Sequence, residues 1–153
     1  MNLKCLGAGL ALVLSAGYSL TAGAQVRPQV MVEQRHAAMT LQGKYLYSLL
    51  PMASGKIPYN ASIVARNVAY LEILTKMAWD GFDPATAGEK NNRALPEVFT
   101  DTAAFKAAED KLHAEVAKFS ATVKTGNEQD IKTGMVELNK VCNACHDKFR
   151  ARR

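Results

Sequence analysis

The chain has 153 residues, 48% hydrophobic and 22% charged, enough for one domain with a substantial core. Nineteen Lys and Arg against fourteen Asp and Glu leave a net charge of +5, a mild excess that suits nucleic acid, anionic lipid or an acidic protein surface. The first residues narrow that choice. Lys4, a mostly apolar run from Leu6 to Leu20 and the small-residue site Ala22-Gly23-Ala24 read as a secretory signal. That run is too short and wrongly flanked for a membrane span. Residues 1–24 are therefore expected to be a signal peptide and 25–153 a single exported domain, periplasmic in destination, with no nucleic-acid partner and no stable membrane insertion. Cleavage would remove Lys4 but no carboxylate, lowering the net charge to +4, and Cys5 would leave with the signal.

Four amphipathic stretches follow. The first runs from about Val30 to Leu50, with Val32, Arg35, Met39, Gly43, Leu46 and Leu50 at helical spacing, before Pro51 and Gly55 stop it. A second begins after Asn60, a good N-cap, and carries Val64, Val68, Leu71, Leu74 and Ala78. The segment from Asp80 to Thr100 has no periodicity, and irregular connections of that length tend to be functional. The third helix starts near Asp101, another N-cap, and repeats Phe105, Leu112, Val116, Phe119 and Val123 until Gly126-Asn127. The fourth occupies Glu128 to the C-terminus. Four helices around one core predict an all-α fold, an antiparallel up-down-up-down four-helix bundle.

The last helix carries the chemistry. Its apolar seam is Ile131, Met135, Leu138, Cys142, Cys145 and Phe149, so two cysteines three residues apart share the core-facing side. A thioredoxin-like disulfide would need a strand before this helix, and no strand-like alternation precedes it. Structural zinc would need a second ligand pair at finger-like spacing, and none exists. Cys142-Asn143-Ala144-Cys145-His146 is instead the haem c attachment signature. Both sulfurs can reach one edge of a porphyrin in the bundle interior, while His146, turned by roughly 100° around the helix, can rise to the iron. One covalently bound haem c per chain is expected.

Haem attachment at the end of a four-helix bundle resembles the class II c-type cytochromes, and the cytochrome c′ family in particular. The resemblance takes in Arg35-x-x-x-Met39, Gly55-x-x-Pro58-Tyr59, Trp79-x-x-Phe82-x-Pro84-x-Thr86, Pro96-Glu97-x-Phe99 and Cys142-x-x-Cys145-His146-Asp147-x-Phe149-Arg150. It implies thioethers at Cys142 and Cys145, His146 as proximal axial ligand, and Arg150 beside the proximal face. Arg35 and His36 match positions near the haem propionates. Met39 matches the distal position, which in that family is either a non-ligating cover over a five-coordinate iron or the sixth ligand of a low-spin electron carrier.

Two functions follow from that division. One is electron transfer or binding of small gases, nitric oxide or carbon monoxide, at a five-coordinate iron. The alternative is a six-coordinate His146/Met39 electron carrier, whose soft thioether raises the potential. No enzymatic activity is expected, since a peroxidase needs a distal base and only His36 could supply one. Expected partners are a redox protein with an acidic docking face and, as the resemblance implies, a second copy of the chain joined through the first two helices, with Tyr45 and Tyr47 exposed. His113 reads as a surface residue, and Lys90 and Arg93 as solvated loop charges.

Overall fold

The computed structural model describes residues 26–152; the expected signal segment lies outside them. Four helices dominate: α1 (Pro28–Tyr47), α2 (Ala61–Leu74), α3 (Thr102–Thr125) and α4 (Glu128–Phe149). They form the expected all-α four-helix bundle. No described helix is long and apolar enough to cross a membrane.

Local chemistry sets most boundaries. Pro28 opens α1, where its missing N–H costs nothing. The side chains of Asn60, Asp101 and Asn127 accept from the backbone N–H of Ile63, Ala104 and Asp130, at 3.0, 3.3 and 3.0 Å, capping α2, α3 and α4. Gly126 closes α3 in the left-handed region, at φ +77°, which a side chain would resist.

Two helices end earlier than their periodicity predicts. α1 stops at Tyr47 rather than Leu50, and Leu50–Ala53 forms a separate helical turn. Pro51 explains this: it has no N–H to give the carbonyl of Tyr47, and its ring obstructs that carbonyl. α2 stops at Leu74 rather than Ala78. There the Thr75 hydroxyl donates to the Leu71 carbonyl at 2.8 Å, and the carbonyl of Thr75 itself is taken by the Trp79 indole N–H. The connection from α2 to α3 is irregular as expected, but it holds two 3-10 turns, Trp79–Phe82 and Pro84–Thr86, and a helical turn at Glu97–Thr100.

The core collects Leu46, Leu49, Met52, Val64, Val68, Leu71, Leu112, Val116, Phe119, Ile131, Met135 and Leu138. Each large side chain removed from water there contributes about 1.5–3 kcal/mol. α1 packs on α2 and on the 3-10 turns, whereas α4 packs on α3 and on the Leu50–Ala53 turn. Past Leu138, α4 and α1 are therefore separated, and the bundle is hollow between them.

Candidate functional site

That hollow is a cavity of about 620 Å³ with mainly apolar walls, a volume suited to a large organic cofactor. α4 contributes Leu138, Val141, Cys142, Cys145, His146 and Phe149; α1 contributes Arg35, His36, Met39 and Gly43. All seven residues singled out in the sequence line this one space, Arg150 included. Trp79, Phe82 and Phe105 complete a wall of touching aromatic rings, Phe82 and Phe105 having centroids 4.9 Å apart and Phe105 and Phe149 5.2 Å apart.

The residues of the attachment motif have the state a haem requires. Cys142 and Cys145 are half-buried and form no disulfide among the described residues. Burial, with the neighbouring Cys145 second, pushes the Cys142 thiol up to about 11, and burial also raises Cys145 against the opposing pull of Arg150. His146 goes the other way: burial first, then Arg150 and Arg93, bring its pKa down to about 4, with Asp147 opposing. The ring is thus neutral at physiological pH, the form that ligates metals. Its Nδ1 is buried with no hydrogen-bond partner among the described residues, and buried polar atoms are rarely left so without reason. No group of three or more His, Cys, Asp or Glu side chains that could hold a bare metal ion occurs among the described residues. Two thiols on one helix face, a neutral imidazole beside them and an apolar cavity fit a c-type haem and do not fit zinc.

Arg35 is not the exposed helix-edge cation its residue type suggests; it is 2% exposed. Its guanidinium donates to the Gly81 carbonyl, to Thr86 Oγ1 at 3.2 Å and to Asn92 Oδ1, and its Cζ lies 4.6 Å from the centroid of Phe82. Gly81 is required for this approach, because a Cβ there would fall 2.7 Å from Arg35 Cβ and 2.8 Å from the Met31 carbonyl. Desolvation lowers the Arg35 pKa. Its three acceptors are all neutral and all belong to the α2–α3 connection, so Arg35 fastens that segment to α1.

His36 is half-buried at the rim, and burial, followed by Arg35 and Arg93, lowers its pKa. Met39 is half-buried and faces the cavity. Arg150 is exposed but still lines the space. Three readings need correction. His113 is half-buried, with Nε2 3.1 Å from both the Thr75 carbonyl and Trp79 Nε1, so it joins the end of α2 to α3. Arg93 is a wall residue rather than a solvated loop charge: it is half-buried, lines the cavity and donates from Nη2 to the Ala151 carbonyl at 2.7 Å. Tyr45 is likewise half-buried, its ring tilted by 50° against that of Tyr70 with centroids 4.7 Å apart.

The fold and this site together define a c-type haem protein built as a four-helix bundle. A family model described as Cytochrome C′ matches residues 30–150, and the chain belongs to that family, which carries its haem covalently through cysteines. It is 38% identical to cytochrome c′ from Rubrivivax gelatinosus over 124 residues, 81% of this chain and 96% of the relative. The crystal structure of that relative superposes with a TM-score of 0.77, covering 81% of this chain and 97% of the other. A nitric oxide complex of a variant of cytochrome c′ from Alcaligenes xylosoxidans gives 0.78 at 29% identity, over 84% and 99%. A carbon monoxide-bound variant of the same protein gives 0.77 at 29%, over 83% and 98%.

Proposed function

We propose that this protein is a periplasmic haem protein, not an enzyme, that transfers electrons or binds nitric oxide or carbon monoxide with His146 as the single protein ligand to iron. Cys142 and Cys145 hold the thioethers, and the haem supplies the iron at which a gas or an electron is held. The observation that carries the reading is the mainly apolar cavity beside His146, in whose wall Gln42, Thr75, Trp79 and Arg35 donate within the protein rather than into the space. Gln42 Nε2 donates to the Leu74 carbonyl at 2.9 Å, Thr75 Oγ1 to Leu71, the Trp79 indole to Thr75, and Arg35 to the α2–α3 connection. Bound oxygen needs a hydrogen-bond donor beside it, whereas nitric oxide and carbon monoxide do not. The complexes of similar proteins with those two gases support the same reading.

Met39 supplies the second reading, a six-coordinate electron carrier, because its thioether faces the same cavity. An optical spectrum of the purified protein separates the two. A high-spin ferrous spectrum that responds to carbon monoxide and is unchanged in Met39→Ala is expected. Sharp low-spin α and β bands with no response to carbon monoxide, lost in Met39→Ala, would establish the six-coordinate form.

Two partners belong to this proposal. Leu41 on α1 and Tyr70, Ile73 and Met77 on and after α2 are 40, 42, 63 and 59% exposed, an apolar stripe suited to a second copy of the chain. A redox partner would present carboxylates, since Lys44, Arg93 and Arg150 line the cavity and no Asp or Glu does. The signal peptide over 1–24 and the exported domain over 25–153 remain part of this reading.

A further inference from the structure

The cavity carries an unbalanced charge. Arg35, Arg93, Arg150 and Lys44 line it, and not one carboxylate does. A partly desolvated guanidinium beside an apolar space is stabilised by a planar oxyanion, which accepts its parallel N–H groups in pairs. The arginines differ in what they have left to give. Arg35 is committed to three acceptors within the protein and to the face of Phe82. Among the described residues, Arg93 has one side-chain acceptor, the Ala151 carbonyl.

Arg93 is also held in place by its backbone. Its carbonyl accepts from Ala151 N at 2.8 Å, and Leu95 N donates to the Phe149 carbonyl at 3.0 Å, so residues 93–95 pair with the chain just past α4. Asn92 fixes the other side. Its Nδ2 donates to the carbonyls of Thr86 and Ala87, both at 2.9 Å, while its Oδ1 accepts from Ala94 N at 2.9 Å and from Arg35. Asn91, at φ +61°, makes the tight reversal that brings Asn92 and Arg93 inward. Arg93 lines the cavity together with His36 on α1 and His146 on α4, so it stands where the two walls meet.

We propose that Arg93, delivered by the Asn92-centred loop, is the residue that pairs with a carboxylate of the bound haem, and that Asn92 is its positioning residue. This rests on the haem-protein reading, and it moves the anionic subsite from Arg35 on α1 to the α2–α3 connection. A haem carries two carboxylates, which supply the acceptors the wall lacks.

Midpoint potentials of the haem-loaded protein test it. Removing a cation beside the haem disfavours the more negative ferrous state, so Arg93→Gln lowers the potential, Arg93→Lys recovers most of the loss, and Asn92→Ser shifts it in the same direction as Arg93→Gln. Lys90→Gln, the same charge change on the same loop at a residue outside the cavity wall, leaves it unchanged. A potential unmoved in Arg93→Gln, or lowered equally in Lys90→Gln, overturns the pairing. A shift in Arg150→Gln with none in Arg93→Gln assigns the carboxylate to Arg150 instead and overturns it as well. Should Arg93→Gln fail to accumulate with haem, the Asn92→Ser and Lys90→Gln comparison decides: a lowered potential in Asn92→Ser with a wild-type one in Lys90→Gln supports the pairing, and a wild-type potential in Asn92→Ser overturns it. A wild-type chain with no haem adduct by mass spectrometry would mark failure of the haem-protein reading itself, before any potential is read.

Discussion

Gly134 on α4 lies directly under the ring of Phe119 on α3: a Cβ at 134 would fall 2.6 Å from Phe119 Cδ2 and 3.1 Å from Cε2. Phe119 is 1% exposed and closed in by the core, so the ring has nowhere to move. Gly134→Ala would gain about 1 kcal/mol in helix propensity, but overpacking a rigid core costs about 1–3 kcal/mol. The expected outcome is a net loss of about 1 kcal/mol. Chemical denaturation of the purified protein, with an unchanged m-value, checks it; a stabilised variant would show that α3 and α4 can part at this point.

Arg35 is the second place where the packing is unforgiving. Arg35→Ala strands the Gly81 carbonyl in a buried wall, at about 1–3 kcal/mol if unsatisfied, and empties the space of a fully buried side chain, so a loss of about 2–4 kcal/mol is expected. Arg35→Lys should recover little of it, because an ammonium cannot serve acceptors spread across the guanidinium fork. Limited proteolysis between Ala78 and Ala94 should accelerate in both variants, and cleavage at the wild-type rate would show that Arg35 does not hold that segment.

Acid sensitivity should have a contribution from Asp101. Its hydrogen bond with Lys148 Nζ at 2.9 Å, then its cap on Ala104 N, hold its pKa below the ordinary 3.8. A carboxylate with a depressed folded pKa stabilises the fold above its unfolded value, and the contribution disappears as pH falls through the folded value. Asp101→Asn should therefore lower stability at neutral pH and flatten the loss seen as pH falls below the ordinary carboxylate value of 3.8. The site is exposed, so the effect should shrink with added salt. Melting temperatures of the two proteins across that range, converging toward the acid end, are the measurement.

Much of this architecture is legible in the sequence because its signals are local. Asn60, Asp101, Gly126 and Asn127 each act on a backbone group within a few residues, and the seam from Ile131 to Phe149 needs only a helical period to be seen. The attachment motif is legible for the same reason, its residues lying within one turn and a half of one helix. What escapes is long-range. Nothing near Arg35 announces its burial, since its acceptors Gly81, Thr86 and Asn92 lie 46, 51 and 57 positions away. Arg93 sits among Glu89, Lys90, Asn91 and Asn92, a composition indistinguishable from a solvated loop until Ala151 pairs with it. His113 fails similarly, its partners Thr75 and Trp79 coming from the far side of the α2–α3 connection. A positive φ at Asn91 was the one local hint, Asn being among the residues that tolerate it.

The short pairing between Arg93–Leu95 and Phe149–Ala151 also orders events in time. A ribosome delivers the chain from its N-terminus, yet the cavity is lined by Arg35 on α1 and by Arg150 just past α4. Its wall therefore cannot be completed before residues 149–151 have been made. Cys142 and Cys145 precede those residues, so the pairing with residues 93–95 is the last part of the wall to form around them.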